Sequence, residues 1–224
     1  MLHLDHDLAA FYERTAADPD LTWVARGAGR MLRSPTVFED VVKTLCTTNC
    51  TWALTSTMVR ALVTNLGEPA VGHEDDPLAN AFPTPAAMAA RDERFYREIV
   101  RSGYRATCFT KLAAMVDGGE VDLEELGRSS RHDLPDEEVE RRLLALPGIG
   151  PYASAHIMMT LGRNSRLILD SWTRPTYAKL AGRARVADST IERRFRRYGS
   201  DAGLAFWLFV TSDWVDEAPG PEGP

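Results

Sequence analysis

Cysteine is scarce in this chain. Only Cys46, Cys50 and Cys108 occur among 224 residues, too few and of the wrong parity for a disulfide-stapled secreted fold, so a reducing, cytoplasmic setting is expected. Cys46 and Cys50 stand at helical i, i+4 spacing, but with no His or Cys partner nearby they read as core thiols and not as a metal site. No apolar run approaches the ~18 residues that cross a bilayer. The opening MLHLDHDLAAFYERTAADPD is too acidic and too interrupted for a signal peptide. Strand signals are also few; RLIL (166–169) is a short apolar run that reads as extended. Internal repeats and low-complexity linkers are missing.

Apolar residues are plentiful, at 44% of the chain, enough for one substantial core or two small ones. The formal net charge is -6, which speaks at first against a nucleic-acid partner. The charge is unevenly spread, however. Residues 163–197 hold ten basic side chains against three acidic ones, a local +7 that leaves -13 for the rest of the chain. A basic face on an acidic protein suits phosphate contact through one surface. For Arg193, Arg194, Arg196 and Arg197 alone, a solvated helix face is the plainer reading.

The pattern is helical nearly throughout. SPTVFEDVVKTLCTTN (34–49) places Ser34 as N-cap and Pro35 at the first helical position. TWALTSTMVRALVTNLG (51–67) repeats apolar residues at helical spacing and stops on Gly67. A loop is expected at 73–85, short helices at 85–91 and 92–101, and longer ones at 104–119 and 133–148. Further helices are expected at 174–182, 188–199 and 201–216, with a disordered tail, EAPGPEGP, at 217–224.

RRLLALPGIGPYASAHIM reads as helix, tight turn, helix. Pro147 stops the first helix, and Gly148 and Gly150 permit positive φ. Such a turn leaves N–H groups at the start of the second helix open to phosphate oxygens. The alternative is an ordinary αα corner.

LPGIG (146–150) followed by Asp170 resembles the helix-hairpin-helix, Gly-Pro-rich, Asp (HhH-GPD) superfamily of DNA glycosylases and glycosylase/lyases. MLRSPTVFEDVVKTLCTTNCTW (31–52), FPTP (82–85), GYRA (103–106) and YGSDAGLAFWLFVTSDW (198–214) are similar, in order, to segments of 8-oxoguanine and type II 3-methyladenine glycosylases. The resemblance implies an all-α, two-lobed fold with an interlobe cleft. A six-helix domain at 36–163 would hold the hairpin (about 136–161); the second lobe, 1–35 plus 164–224, would carry Asp170. It further implies a monomeric base-excision repair enzyme acting on double-stranded DNA with a damaged or mispaired base, and no membrane partner.

The base would be flipped out of the helix, and Asp170 would stabilise the oxocarbenium sugar or orient the attacking water. An N-cap before residues 171–176 is the structural alternative for Asp170. Lyase members carry a Lys where this chain has Tyr152, eighteen residues before Asp170. Tyrosine forms no imine, so the resemblance implies a monofunctional enzyme, with a modified (alkylated or oxidised) purine as substrate. Mismatch thymine and uracil glycosylases also have Tyr here, which keeps that specificity open; a non-catalytic binder of damaged DNA and a protein-binding helical scaffold are the rivals from other classes.

The same resemblance places the face shared by Tyr152 and His156 on the base pocket, with solvation or packing as the alternative for His156; Trp52 and Trp23 are candidates for either the pocket or the core. It assigns Gly148, Ile149, Gly150, Asn49, Trp172 and Arg174 to DNA contact. Asn49 matches an Asn that touches the orphaned base, with a helix-ending Asn as the plainer reading, and Trp172 replaces a phosphate-contacting His or Asn, where an aromatic would stack or simply pack. Carbonyls around Leu146 and Gly148 would hold a monovalent cation, Na+ or K+. No other cofactor is implied. An iron–sulfur cluster is excluded because no cysteine follows Cys108.

Overall fold

The computed structural model describes residues 6–216; the tail at 217–224 lies outside the described residues. The helices are α1 (Ala9–Ala16), α2 (Val37–Thr47), α3 (Trp52–Leu66), α4 (Pro85–Ala89), α5 (Glu93–Glu98), α6 (Arg105–Asp117), α7 (Leu123–Arg128), α8 (Asp136–Leu144), α9 (Pro151–Thr160), α10 (Thr173–Leu180), α11 (Asp188–Phe195), α12 (Ala202–Val210) and α13 (Asp213–Asp216). Short 3-10 segments lie at Thr22–Arg26, Pro77–Ala79 and Arg196–Asp201. No strand occurs among the described residues, and 166–169 is irregular. No described helix is long and apolar enough to cross a membrane.

Two compact units emerge: a central unit, 33–157, and a terminal unit that takes the described residues before 33 and after 157. The second boundary therefore falls inside α9 and not after residue 163. The reason is local to the terminal unit. The Asn164 carbonyl accepts the Gly203 N–H at 2.7 Å, and a Cβ on Gly203 would lie 2.0 Å from the Arg166 carbonyl oxygen. The stretch after α9 is thus packed against the start of α12.

In the central unit, α2 buries Val37, Phe38, Val41, Val42, Leu45 and Cys46. Burial pushes the Cys46 thiol up to about 12, as befits a core thiol. The helix begins two residues later than the Ser34 cap predicts. Thr36 is the N-cap, extended at φ -122°, and its side chain accepts from Glu39 N. The tetrad Thr36-Val37-Phe38-Glu39 has the T-x-x-E form that outcompetes the Ser-Pro signal. The Glu124 carboxylate of α7 accepts the next two donors, Val37 N at 2.8 Å and Phe38 N at 3.1 Å. A helix absent from the sequence reading thereby completes the cap.

The terminal unit has an aromatic core. Phe11, Tyr177, Phe195, Tyr198, Phe206 and Phe209 are buried, with ring centroids such as Phe195–Phe206 at 5.4 Å. Charged staples tie α1 and the residues after it to the C-terminal helices. Arg14 pairs with Asp201 at 2.5 Å, Arg194 with Asp20, and Arg197 with Asp18. Asp18 is buried and accepts the Tyr198 hydroxyl at 2.7 Å. Burial alone would raise its pKa, but the hydrogen bonds from Tyr198 and Asp20 N–H and the charges of Arg197 and Arg194 hold it below the ordinary value.

Candidate functional site

Pro151 opens α9, and the turn before it is set by one glycine. Gly148 has φ +80°, while Gly150 has no positive φ, contrary to the symmetric role expected of the pair. A Cβ on Gly148 would stand 2.8 Å from Cys108 Sγ and 2.9 Å from Leu45 Cδ1. Gly148 is therefore a structural necessity. A Cβ on Gly150 would meet nothing within 4 Å, so its bareness answers to no neighbour among the described residues. The backbone N–H groups of Gly148 and Gly150 find no acceptor among the described residues. Ile149 is different: its side chain is 6% exposed and its N–H is spent on the Leu146 carbonyl at 3.2 Å. The residue is part of the core, and its amide is unavailable to a ligand.

The hairpin carbonyls retain some capacity for a cation. One Leu146 lone pair is taken by Ile149 N–H, leaving the second and the Gly148 carbonyl. Among the described residues no group of three or more His, Cys, Asp or Glu could hold a metal ion. Neutral carbonyl donors suit a monovalent ion and not a transition metal.

Tyr152 and His156 share one face of α9, with ring centroids 5.9 Å apart. The Tyr152 hydroxyl lies 3.4 Å from Thr47 Oγ1 at the end of α2. Just beyond, Asn49 adopts φ +46°, a conformation Asn tolerates better than most residues. Its amide donates to the Tyr104 hydroxyl at 3.2 Å, and the buried Arg105 guanidinium lies over the Tyr104 ring at 4.6 Å. Thr47, Tyr104 and Arg105 were not among the predicted site residues, although GYRA contains two of them. Trp52 is 78% exposed at the first position of α3, which removes the core reading for it. Trp23, in the terminal unit, packs against the aromatic core, as the packing alternative expects. An apolar groove of about 570 Å³ in the central unit, bordered by Phe38, Phe82 and the Glu39 carboxylate, contains none of the predicted residues.

The two carboxylate oxygens of Asp170 are engaged differently. Oδ1 accepts Trp172 N at 2.8 Å and Thr173 N at 2.6 Å, while the Asp170 N–H donates to Thr173 Oγ1 at 2.9 Å. This reciprocal box caps α10. The Thr173 hydroxyl in turn donates to the Ile168 carbonyl at 2.8 Å, and Thr173 is fully buried. Oδ2 accepts no hydrogen bond among the described residues. The half-exposed carboxylate is thus fixed in place by one oxygen and open at the other. D-x-x-T was the local signal for the box, legible in Asp170–Thr173.

The basic segment is sorted by its partners. Arg174 is held by Asp188 through two parallel hydrogen bonds of 2.8 and 2.9 Å. Arg194 and Arg197 belong to the staples, and Arg194 also covers the Phe209 ring at 4.3 Å. Lys179, Arg183, Arg185, Arg193 and Arg196 are exposed and make no ion pair among the described residues. Trp172 is 39% exposed and meets Trp207 and Trp214, at 6.0 and 5.6 Å between centroids.

No protein-family model matches the sequence, and no curated protein matches it. Solved structures do match. The 8-oxoguanine glycosylase/lyase of Clostridium acetobutylicum is 22% identical, with 93% of this chain covering 72% of that one at a TM-score of 0.76. The 3-methyladenine DNA glycosylase of Archaeoglobus fulgidus is 20% identical, with 92% covering 70% at 0.70. That of Schizosaccharomyces pombe, in complex with abasic DNA, is 17% identical, with 92% covering 97% at 0.66. The described chain has the all-helical fold shared by these 8-oxoguanine and 3-methyladenine DNA glycosylases.

Proposed function

We propose that this chain is a monofunctional DNA glycosylase of base excision repair that removes a modified purine from double-stranded DNA. The observation that carries the reading is Asp170, anchored through Oδ1 and open at Oδ2, in a fold shared with DNA glycosylases. The hairpin amides at Gly148 and Gly150 would receive phosphate oxygens. Phosphate contact positions the duplex without reading sequence.

With a nucleotide flipped out, the C1′–N bond breaks heterolytically and its electron pair leaves with the base, which takes up a proton. The sugar becomes an oxocarbenium ion, which a carboxylate stabilises electrostatically. Water adds to C1′ and loses a proton, leaving free base and an abasic strand. Asp170 is the carboxylate, and Tyr152, His156 and Trp52 are pocket candidates; Trp23 is a weaker one, since it packs on the core. Asn49, held against Tyr104, is a candidate for the orphaned base. A Na+ or K+ ion at the Leu146 and Gly148 carbonyls would add positive charge at a phosphate. Tyr152 supplies a phenol where an amine would be needed to form an imine, so no lyase step is assigned.

One observation favours a second reading. Because Asp170 caps α10, a damaged-DNA binder without chemistry would also keep it. A panel of labelled duplexes, each with one lesion, assayed for abasic-site formation, separates the two. Excision of at least one modified purine supports the enzyme, and binding without excision across the panel supports the binder.

A further inference from the structure

Trp172, Trp207 and Trp214 form a cluster in the terminal unit, pairwise 5.6 to 6.0 Å apart. Trp172 is 39% and Trp214 58% exposed. Three tryptophans from a loop, α12 and α13 converging on solvent are a contiguous apolar patch, which soluble proteins seldom expose without use. The Trp172 backbone N–H donates to Asp170 Oδ1 at 2.8 Å, so the patch begins at the candidate carboxylate. The Trp172 and Trp214 planes are tilted by only 34°.

The cations beyond the cluster bear on its partner. Trp172 leads directly into α10, which is eight residues, about 12 Å, long. At and beyond its far end stand Lys179, Arg183 and Arg185, exposed and without ion pairs among the described residues. The Asp170 and Asp213 carboxylates adjoin the tryptophans, so the unspent cations at the far end of α10 are the groups that would hold a polyanion, and the aromatic surface suits one that also carries flat π-faces. A nucleic-acid strand with unpaired bases has both properties.

We propose that Trp172 and Trp214 form a stacking platform for a nucleobase of an unpaired stretch of DNA, beside Asp170, while Lys179, Arg183 and Arg185 hold the same strand's phosphates. The inference rests on the DNA reading above and adds Trp214 to it.

The test uses the full chain and two single strands of equal length and charge: a short oligothymidylate, and an oligomer whose sugars carry no bases. Fluorescence anisotropy gives the affinity for each, and excision from a lesion duplex is measured alongside. Stacking predicts that the wild type prefers oligothymidylate by about tenfold. Trp214→Ala should abolish that preference and Trp214→Phe should retain most of it, with the salt dependence unchanged in both. The Phe variant separates a lost stack from a damaged fold. Equal wild-type affinity for the two oligomers, or a preference that survives both Trp214→Ala and Trp172→Ala, overturns the platform and leaves the patch to a protein partner. If excision persists in that case, only this inference fails. If the wild type neither binds DNA nor excises, the DNA reading fails with it.

Discussion

Replacing Asp170 by Asn and by Ala separates chemistry from capping, because the two substitutions remove different things. Asparagine keeps an Oδ1 acceptor for Trp172 N and Thr173 N, bonded at 2.8 and 2.6 Å in the wild type. It gives up the charge, whose attraction to the N-terminus of α10 is worth ~0.3–1 kcal/mol. Alanine gives up the cap itself, at about 1 kcal/mol and at most ~2 kcal/mol. For a chain of this size each kcal/mol lowers the melting temperature by ~2–4 °C. Asn should therefore cost about a degree or two, and Ala a few more. A domain with ~5–15 kcal/mol of stability stays folded through either change.

The effect on excision should be of another order. Losing one preorganised electrostatic group at a developing charge costs ~10²–10³ in rate. Both variants should fall by that much under single-turnover conditions, with lesion-duplex affinity in Asn held at the wild-type level. The rate loss in Asn thus far exceeds what its small stability change explains. An Asn variant that excises at the wild-type rate, with Ala merely less stable, would refute the catalytic role and leave Asp170 as a helix cap.

Four further outcomes follow from the geometry. Gly148→Ala should lower the melting temperature by several degrees, since its Cβ would crowd Cys108 and Leu45 at φ +80°; Gly150→Ala should melt like the wild type yet bind every duplex sequence more weakly, and unchanged binding would remove Gly150 from the phosphate contact. Neutralising Arg193 and Arg196 together should flatten the salt dependence of duplex binding by about 0.9 per lost contact, whereas Arg194→Ala should chiefly destabilise, because it loses Asp20 and the Phe209 face. Asp18→Asn should cost about 2 kcal/mol at neutral pH. Because the folded Asp18 pKa is lowered, that stabilisation is present above about pH 4 and lost as pH falls through the folded value, so wild-type and variant denaturation midpoints should converge in acid. Finally, excision should leave the strand intact until alkali is added, and borohydride should trap no protein–DNA adduct; efficient trapping would show that some amine on the chain does attack the sugar.

What the sequence determined by itself was whatever is encoded within a few residues. Helical spacing, Pro-Gly punctuation and the Leu-Pro-Gly-Ile-Gly turn predicted an all-α chain with a hairpin before Pro151, because backbone preferences and one-turn contacts are local. Neither α1 nor α7, eight and six residues long, is among the helices read from the sequence. The start of α2 divides the same way: the cap at Thr36 is local, while the acceptor for the next two amides, Glu124, comes from far along the chain. Only the tertiary structure could divide the basic segment. Arg194 and Arg197 look like their neighbours Arg193 and Arg196 in sequence, and differ because Asp20 and Asp18 fold back onto them. The same holds for the two glycines of the hairpin, one crowded by Cys108 and Leu45 and the other bare. It holds for Asp170, where the sequence offered catalysis or a cap and the folded chain gives one oxygen to the cap and leaves the other open. A charge or a Cβ position acquires its meaning from partners distant in sequence, and those partners are chosen by packing.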